Sequence, residues 1–437
     1  MTNIIRETVD VMADTPKPIG PVAAYAALVR SGQLQEEVAG CLSTISRIAA
    51  ATSNRIFLVG GMVRDLVAQL PEISTSPDIC VIGDAEHFAR TVVADTGRCQ
   101  LVAVSQHHTA KLKFDQIIID IASARIDTYE PYGSLPKITL IDDIETDLSR
   151  RDFTINAMAM PIHPDGLGGL IDPFGGRGDT DRGILRIIRE DSFREDPLRM
   201  LRGVRLAARY DYRFEAATAQ ALSDARDDLR RMVEYSPQRV FNEFSLWFTR
   251  HEKLDALREL ADTTGLLDPL GVDASFPQDS FRHIPTNAPN LERFAAFAYL
   301  LPPDTLTALP HRLSMPTEWA ATAKHSSTAR NIADRCRYTD VSDIDLYRSL
   351  IGVPDDVVRA AIAAEHSATV KSRFHDFRTR LRHVRADLKG DDLIALGVEQ
   401  GPMVGKLLDE LLTLRIQGAI SSAVEERHHI VNWLADD

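Results

Sequence analysis

Asp78 and Cys80 stand two residues apart in Ser76-Pro77-Asp78-Ile79-Cys80-Val81-Ile82, an apolar run with the character of a strand. Side chains two apart on a strand share a face, so this run presents a carboxylate and a thiol side by side. Two carboxylates there would suit the pair of divalent cations that clamps attacking and leaving oxygens in phosphoryl transfer. A thiol is a soft ligand, ill matched to a hard cation such as Mg²⁺, and a neutral Cys80 also removes one negative charge. Asp120 ends a second apolar strand, Ile117-Ile118-Ile119, where it could partner Arg125. Upstream, Ile56-Phe57-Leu58-Val59 runs into Gly60 and Gly61 and then Met62-Val63-Arg64-Asp65. That is a strand, a glycine turn and a helix start, a combination that favours anions, with Arg64 placed to reach a triphosphate. Asp84 lies past the end of its strand and is not expected to reach a cation held by Asp78.

These residues need a scaffold. Strand-like runs at Ile56–Val59, Ile79–Ile82, Gln100–Val104, Lys111–Phe114 and Ile117–Ile121, with a helix at His87–Asp95, describe a small mixed sheet with helices. Pro131, Gly133 and Pro136 mark a loop before Leu148. His107 and His108 are adjacent and so face opposite ways on a strand; they read as turn or surface residues, not a metal pair. From about residue 190 the apolar spacing becomes helical, over Asp196–Tyr210, Ala216–Arg231, Gln238–Phe248 and His251–Thr263. Val22–Val29 and Val38–Ala50 are also helical in spacing, with no role assigned. The expected organisation is a helical extension over residues 1–50, an α/β head over 51–165, a neck over 166–235, a helical body over 236–365 and a helical tail over 366–437.

Gly60-Gly61-Met62-Val63-Arg64-Asp65, followed by Asp78-Ile79-Cys80, resembles the head of the class II tRNA nucleotidyltransferase and bacterial poly(A) polymerase family. Further matches follow in order: Asp120-Ile121-Ala122-Ser123-Ala124-Arg125, Arg150-Arg151-Asp152-Phe153-Thr154-Ile155-Asn156-Ala157, Ile171-Asp172-Pro173-Phe174-Gly175-Gly176, Glu195-Asp196-Pro197-Leu198-Arg199 and Ser236-Pro237-Gln238-Arg239-Val240. Gly390 to Gly397 is similar to the tail of longer bacterial members. Cys80 is the departure, standing where the family has a metal-ligand aspartate.

The resemblance implies an α/β head of nucleotidyltransferase type followed by an elongated all-α neck, body and tail. It implies attack of a tRNA 3′-hydroxyl on the α-phosphate of ATP or CTP, with Mg²⁺, or Mn²⁺ in its place, held by Asp78 and Asp120. Arg151, Asp152 and Asn156 then face the nucleotide's sugar and phosphates, and Asp196 with Arg199 selects the base. Glu195, Asp196 and Arg199 are spaced to share one face of a helix. Cytosine and adenine both set an amino group beside an unprotonated ring nitrogen, so an aspartate accepting from one and an arginine donating to the other would admit both. Arg202, further along the helix, meets phosphate or only solvent. The product, whether CCA, a terminal A or a poly(A) tail, is left open by motifs shared among all three activities. Cys80 leaves three readings: a weakened enzyme, a non-catalytic nucleotide- or RNA-binding relative, or a structural scaffold with no ligand.

Composition bounds the rest. The chain has 437 residues, 44% of them hydrophobic, ordinary for a globular protein and enough for several domains. It shows no apolar run of about 18 residues, hence no expected membrane span. Met1–Pro18 is polar and lacks the apolar core of a secretion signal. The cysteines, Cys41, Cys80, Cys99 and Cys336, are far apart, which points to reduced thiols in the cytoplasm and against a zinc site. A net charge of −13 argues against a nucleic-acid binder, but Lys371, Arg373, Arg378, Arg380, Arg382, Arg385 and Lys389 crowd together near the end. They form either a solvated basic face or an RNA-backbone contact, with Lys371, Arg378, Arg382 and Arg385 as the contact candidates.

Overall fold

The computed structural model describes residues 23–70, 75–249, 253–272, 276, 277 and 279–436; Met1–Pro18 lies outside them, as does Val22. The described residues fall into two compact units. One holds residues up to Asp196 together with Tyr212–Ala221; the other holds Pro197–Asp211 together with those from Leu222 onward. The unit boundary therefore runs through the segment expected as a neck.

In the first unit the apolar runs become strands. In chain order they are β1 (Ala23–Ala24), β2 (Arg55–Val59), β3 (Asp78–Ile82), β4 (Cys99–Ser105), β5 (Thr109–Phe114), β6 (Ile117–Ser123), β7 (Arg125–Thr128), β8 (Lys137–Leu140), β9 (Ala159–His163) and β10 (Gly166–Leu167). Eight of them form one sheet, ordered β1-β10-β9-β2-β3-β6-β5-β4, while β7 and β8 pair separately. Within the large sheet β3 and β6 are parallel, and the other pairings are antiparallel. His107 and His108 form the β4–β5 turn, with His108 at φ +55°.

Alternation along β2 and β3 divides the sheet's two faces. Ile56, Leu58, Ile79 and Val81 enter one core with α2 (Glu36–Ala51) and α4 (Ala85–Thr96), whose Leu42, Ile45, Phe88 and Val92 are fully or nearly fully buried. Phe57, Val59 and Cys80 enter a second core with Ala124, Ile144, Leu148, Ala157 and Ala159. The described part of the 1–50 segment is thus the cover of the head's sheet, not a separate extension. Its helical spacing was readable; which sheet it covers was not. Asp84 caps α4, accepting from the backbone N–H of Glu86 at 2.9 Å and of His87 at 3.1 Å. It sits at the end of β3 opposite Asp78, out of reach as expected.

The Ile171-to-Gly176 motif supports the head from below. Asp172 accepts from the N–H groups of Gly176 at 2.7 Å and Arg177 at 3.0 Å, starting α6 (Gly176–Arg182). A Cβ on Gly176 would lie 2.2 Å from the Thr154 carbonyl oxygen, so only glycine allows this approach.

The helix expected over Asp196–Tyr210 starts two residues later. α7 (Ser192–Glu195) ends at Asp196, whose φ of −139° and ψ of 96° are extended, and α8 (Leu198–Tyr210) begins after Pro197. Proline disfavours helical geometry in the residue before it and starts a new helix well. Glu195, Asp196 and Arg199 therefore do not share one helical face.

The second unit is helical. Its core is aromatic: Phe294 stacks edge-on and tilted against Phe248 and Trp319 at 5.4 and 4.8 Å between ring centres. A separate small core near the C-terminus gathers Leu388, Leu393, Val398, Leu407, Leu411 and Ile430. No helix among the described residues is long and apolar enough to cross a membrane, and all four cysteines are free.

Candidate active site

The parallel pairing of β3 with β6 puts Asp78 directly opposite Asp120. Neighbouring strands run about 4.8 Å apart, so two carboxylates share one end of the sheet. Val59 is the partner of Asp78 on the other side, which brings the Gly60 turn to the same end. Gly60 has φ +72°, and a Cβ there would lie 3.3 Å from Arg151 Nη1 and 3.6 Å from Asp78 Oδ2. The positive φ favours glycine there, and the turn lies close against the Arg151 guanidinium.

Asp78 is open to solvent on one side. The protein around it still raises its pKa from 3.8 to about 6, chiefly by desolvation; Arg151 and Lys111 oppose the rise and Asp120 adds to it. Asp120 is paired with Lys111 Nζ at 2.9 Å, not with Arg125, which pairs with Asp127. Lys111 faces Asp120 across the β5–β6 register and was missed in the sequence, where it reads only as one polar residue in an alternating strand.

Arg64 is not a free hand for a triphosphate. It is buried, donates to Asp65 Oδ1 at 2.7 Å and to Asn156 Oδ1 at 2.7 Å, and lies against Gly61. Asn156 in turn donates to Asp152 Oδ1 at 3.1 Å, which also accepts from the Phe153 N–H. This chain of bonds ties α3 (Gly61–Val67) to the Arg151–Asn156 segment. The positive charge beside Asp78 and Gly60 comes from Arg151.

Cys80 is buried among Phe57, Val59, Leu148 and Ala159. Burial, reinforced by Asp147 and only partly offset by Arg151, Arg150 and Arg125, pushes its thiol up to about 12. At neutral pH it is a protonated thiol, which neither binds a hard cation nor oxidises readily. Asp78 and Asp120 are hard oxygen donors and fit a divalent cation; Cys80 does not. Among the described residues no group of three or more His, Cys, Asp and Glu side chains is arranged to hold a metal ion.

Elsewhere the expected contacts are turned inward. Arg202 pairs with Glu243 at 3.4 Å, and Arg199 is buried. In the C-terminal basic run, Arg378 and Arg382 both reach Asp355, at 2.8 and 3.3 Å. Arg373 and Arg380 both reach Asp343, at 2.7 Å each. Arg385 donates to the Tyr347 hydroxyl at 3.3 Å and to nearby backbone carbonyls. Asp343 and Asp355 open two helices (Asp343–Leu350 and Asp355–Ala364), and the run folds onto them. Lys371 differs: it lines a recess of about 270 Å³ with Arg282, His283 and His366, a recess that Asp279 and Glu365 also line.

A mixed sheet with two carboxylates in register, a glycine turn and an arginine at one end defines a nucleotidyltransferase-type head. Residues 56–186 match the family described as the Poly A polymerase head domain. An A-adding tRNA nucleotidyltransferase of Halalkalibacterium halodurans is 32% identical over 385 residues, 84% of this chain and 86% of that protein. A second, from Geobacter sulfurreducens, is 28% identical over 87% of this chain, which spans 45% of that longer protein. The apo form II structure of a CCA-adding enzyme has the same fold, with a TM-score of 0.77 and 24% identity over 96% of this chain and all of that one. The chain belongs to the tRNA nucleotidyltransferase family.

Proposed function

We propose that this protein adds A, or C and A, nucleotides from ATP and CTP to the 3′ end of tRNA without a template, in the cytoplasm. The observation that carries the reading is the in-register pair Asp78 and Asp120 beside the Gly60 turn. The 3′-oxygen of the RNA forms a bond to the α-phosphorus, the bond from that phosphorus to the bridging oxygen breaks, pyrophosphate leaves, and the hydroxyl proton is released to water. A Mg²⁺ or Mn²⁺ ion held by Asp78 and Asp120 would supply charge neutralisation on the reacting phosphate. Arg151, beside the glycine turn, holds phosphate oxygens, and the bonded set Arg64, Asn156 and Asp152 keeps Gly61 and the Arg151 segment in place. Positioning and charge are the usual bulk of catalysis in such transfers.

The buried, protonated Cys80 favours a second reading, in which nucleotide is bound and transfer is slow or lost. Labelled CTP and ATP, offered with tRNA ending before CCA, after C and after CC, separate the two. The wild type is expected to add nucleotide, and Cys80→Asp to add it faster by one or more orders of magnitude, about tenfold per 1.4 kcal/mol of restored transition-state binding. A silent wild type beside an active Cys80→Asp establishes the binding-only reading. Equal rates would show that Cys80 does not limit the site.

A further inference from the structure

Asp147 lies in α5 (Ile144–Ser149) and is fully buried. Its Oδ1 accepts from the Arg125 backbone N–H at 3.2 Å and from Arg150 Nε at 2.9 Å, and its Oδ2 from Arg151 Nη2 at 3.1 Å. Both oxygens are occupied by cationic or backbone donors, so Asp147 is no substitute for the missing metal ligand. Burial acts to raise its pKa, but Arg151, Arg150 and the bonds they make overcome that and leave it below the ordinary carboxylate range. It is a fixed anion.

Arg151 is mounted on that anion. One of its terminal nitrogens is held by Asp147; the other, Nη1, faces the Gly60 turn next to Asp78. Its Nε is buried without a hydrogen-bond partner among the described residues. Asp147 is its carboxylate partner among the described ion pairs. Arg150 points the other way, to Asp127 at 3.1 Å. The spacing explains the division: residues three and four ahead of a carboxylate on a helix turn both reach it, and a planar guanidinium held at one edge has its other edge aimed.

We infer that Asp147 is a positioning residue for nucleotide binding: it never meets the nucleotide, and it aims Arg151 at the phosphates beside Gly60. The inference rests on the nucleotide reading above. It sets Asp147 apart from Arg150, which shares the carboxylate but not the site.

Removing Asp147 alone leaves buried arginines uncompensated and endangers folding. The test therefore uses Arg150→Gln as background, with Asp147→Asn added to it, so that the buried charge balance is kept. Binding of ATP and CTP is measured by calorimetry, alongside Arg151→Gln in the same background and the triple variant. Arg150→Gln is expected to bind within about threefold of wild type. Adding Asp147→Asn should weaken binding roughly tenfold, as loss of one charge-assisted contact does, and KM should rise more than kcat falls. The triple variant should be no weaker than Arg150→Gln/Arg151→Gln, because both changes remove one device. Equal binding with and without Asp147→Asn in a folded protein overturns the inference while leaving the nucleotide reading intact. A wild type that binds neither nucleotide overturns that reading and the inference with it. Should the Asp147 variants unfold, Arg151→Lys carries the test: a loss matching Arg151→Gln supports an aimed guanidinium, and wild-type affinity excludes one.

Discussion

Asp78 feels opposing neighbours. Desolvation and Asp120 favour its neutral form, while Arg151 and Lys111 favour its charge, and the balance stands at about 6 against 3.8 for the free group. A carboxyl whose pKa rises on folding destabilises the fold only when it is charged. The penalty is absent below about pH 4, grows between 4 and 6, and is complete above 6. Asp78→Asn should therefore raise the melting temperature at pH 7.5 in the presence of EDTA, and the gain should shrink to roughly a third at pH 4.5. Mg²⁺ added at pH 7.5 should stabilise wild type and not the variant. A gain that is the same at both pH values would mean that Asp78 does not titrate in this window. The same scale shows the limit of motif reading. That Asp78 and Asp120 belong together followed from the family resemblance, with each placed on an apolar strand. That Lys111 and Asp147 complete the site was not, because one is set by strand register and the other by two arginines that a motif counts as a pair.

At the scale of elements, glycine and proline punctuation was the most informative feature of the chain. The Gly60 turn, the β3 strand and the α4 helix all fall where turn chemistry and apolar spacing placed them. Periodicity fell short in two places. Helical spacing placed the start at Asp196, but the helix begins after Pro197, and a local steric rule outweighs periodicity there. Helical spacing in α2 said nothing about its partner, which is the sheet formed by strands later in the chain. That packing is testable. Leu42 on α2 is fully buried in the core that contains Ile56, Leu58 and Phe88. Leu42→Ala should cost about 2–5 kcal/mol and lower the melting transition of the head, with nucleotide binding unchanged at temperatures where the variant is folded. A change under about 0.5 kcal/mol, the range of surface substitutions, would mean that α2 is dispensable to the head.

For the molecule as a whole, the difficulty is a net charge of −13 on a protein proposed to bind tRNA. Backbone binding needs cations that are available to phosphate, and each neutralised phosphate contributes about 0.7–0.9 to the slope of log K against log salt. The C-terminal basic run looked like the supply, yet Asp355 receives Arg359, Arg378 and Arg382 at 2.8 to 3.3 Å, and Asp343 receives Arg373 and Arg380. Partly exposed pairs of this kind are each worth little, commonly under about 1 kcal/mol, but a carboxylate shared by three guanidiniums holds them together as a network. These arginines therefore act first as internal ties. Arg378→Gln with Arg382→Gln should lower the melting temperature by a few degrees while leaving the salt slope of tRNA binding within about 0.5 of wild type. Lys371→Gln, at the recess where Arg282, His283 and His366 stand with Asp279 and Glu365, should lower that slope by about 0.7–0.9 with little change in stability. A drop of about 1.5 or more in the double arginine variant would show the opposite order: phosphate outcompetes Asp355, and the ion pairs are a resting state that RNA opens.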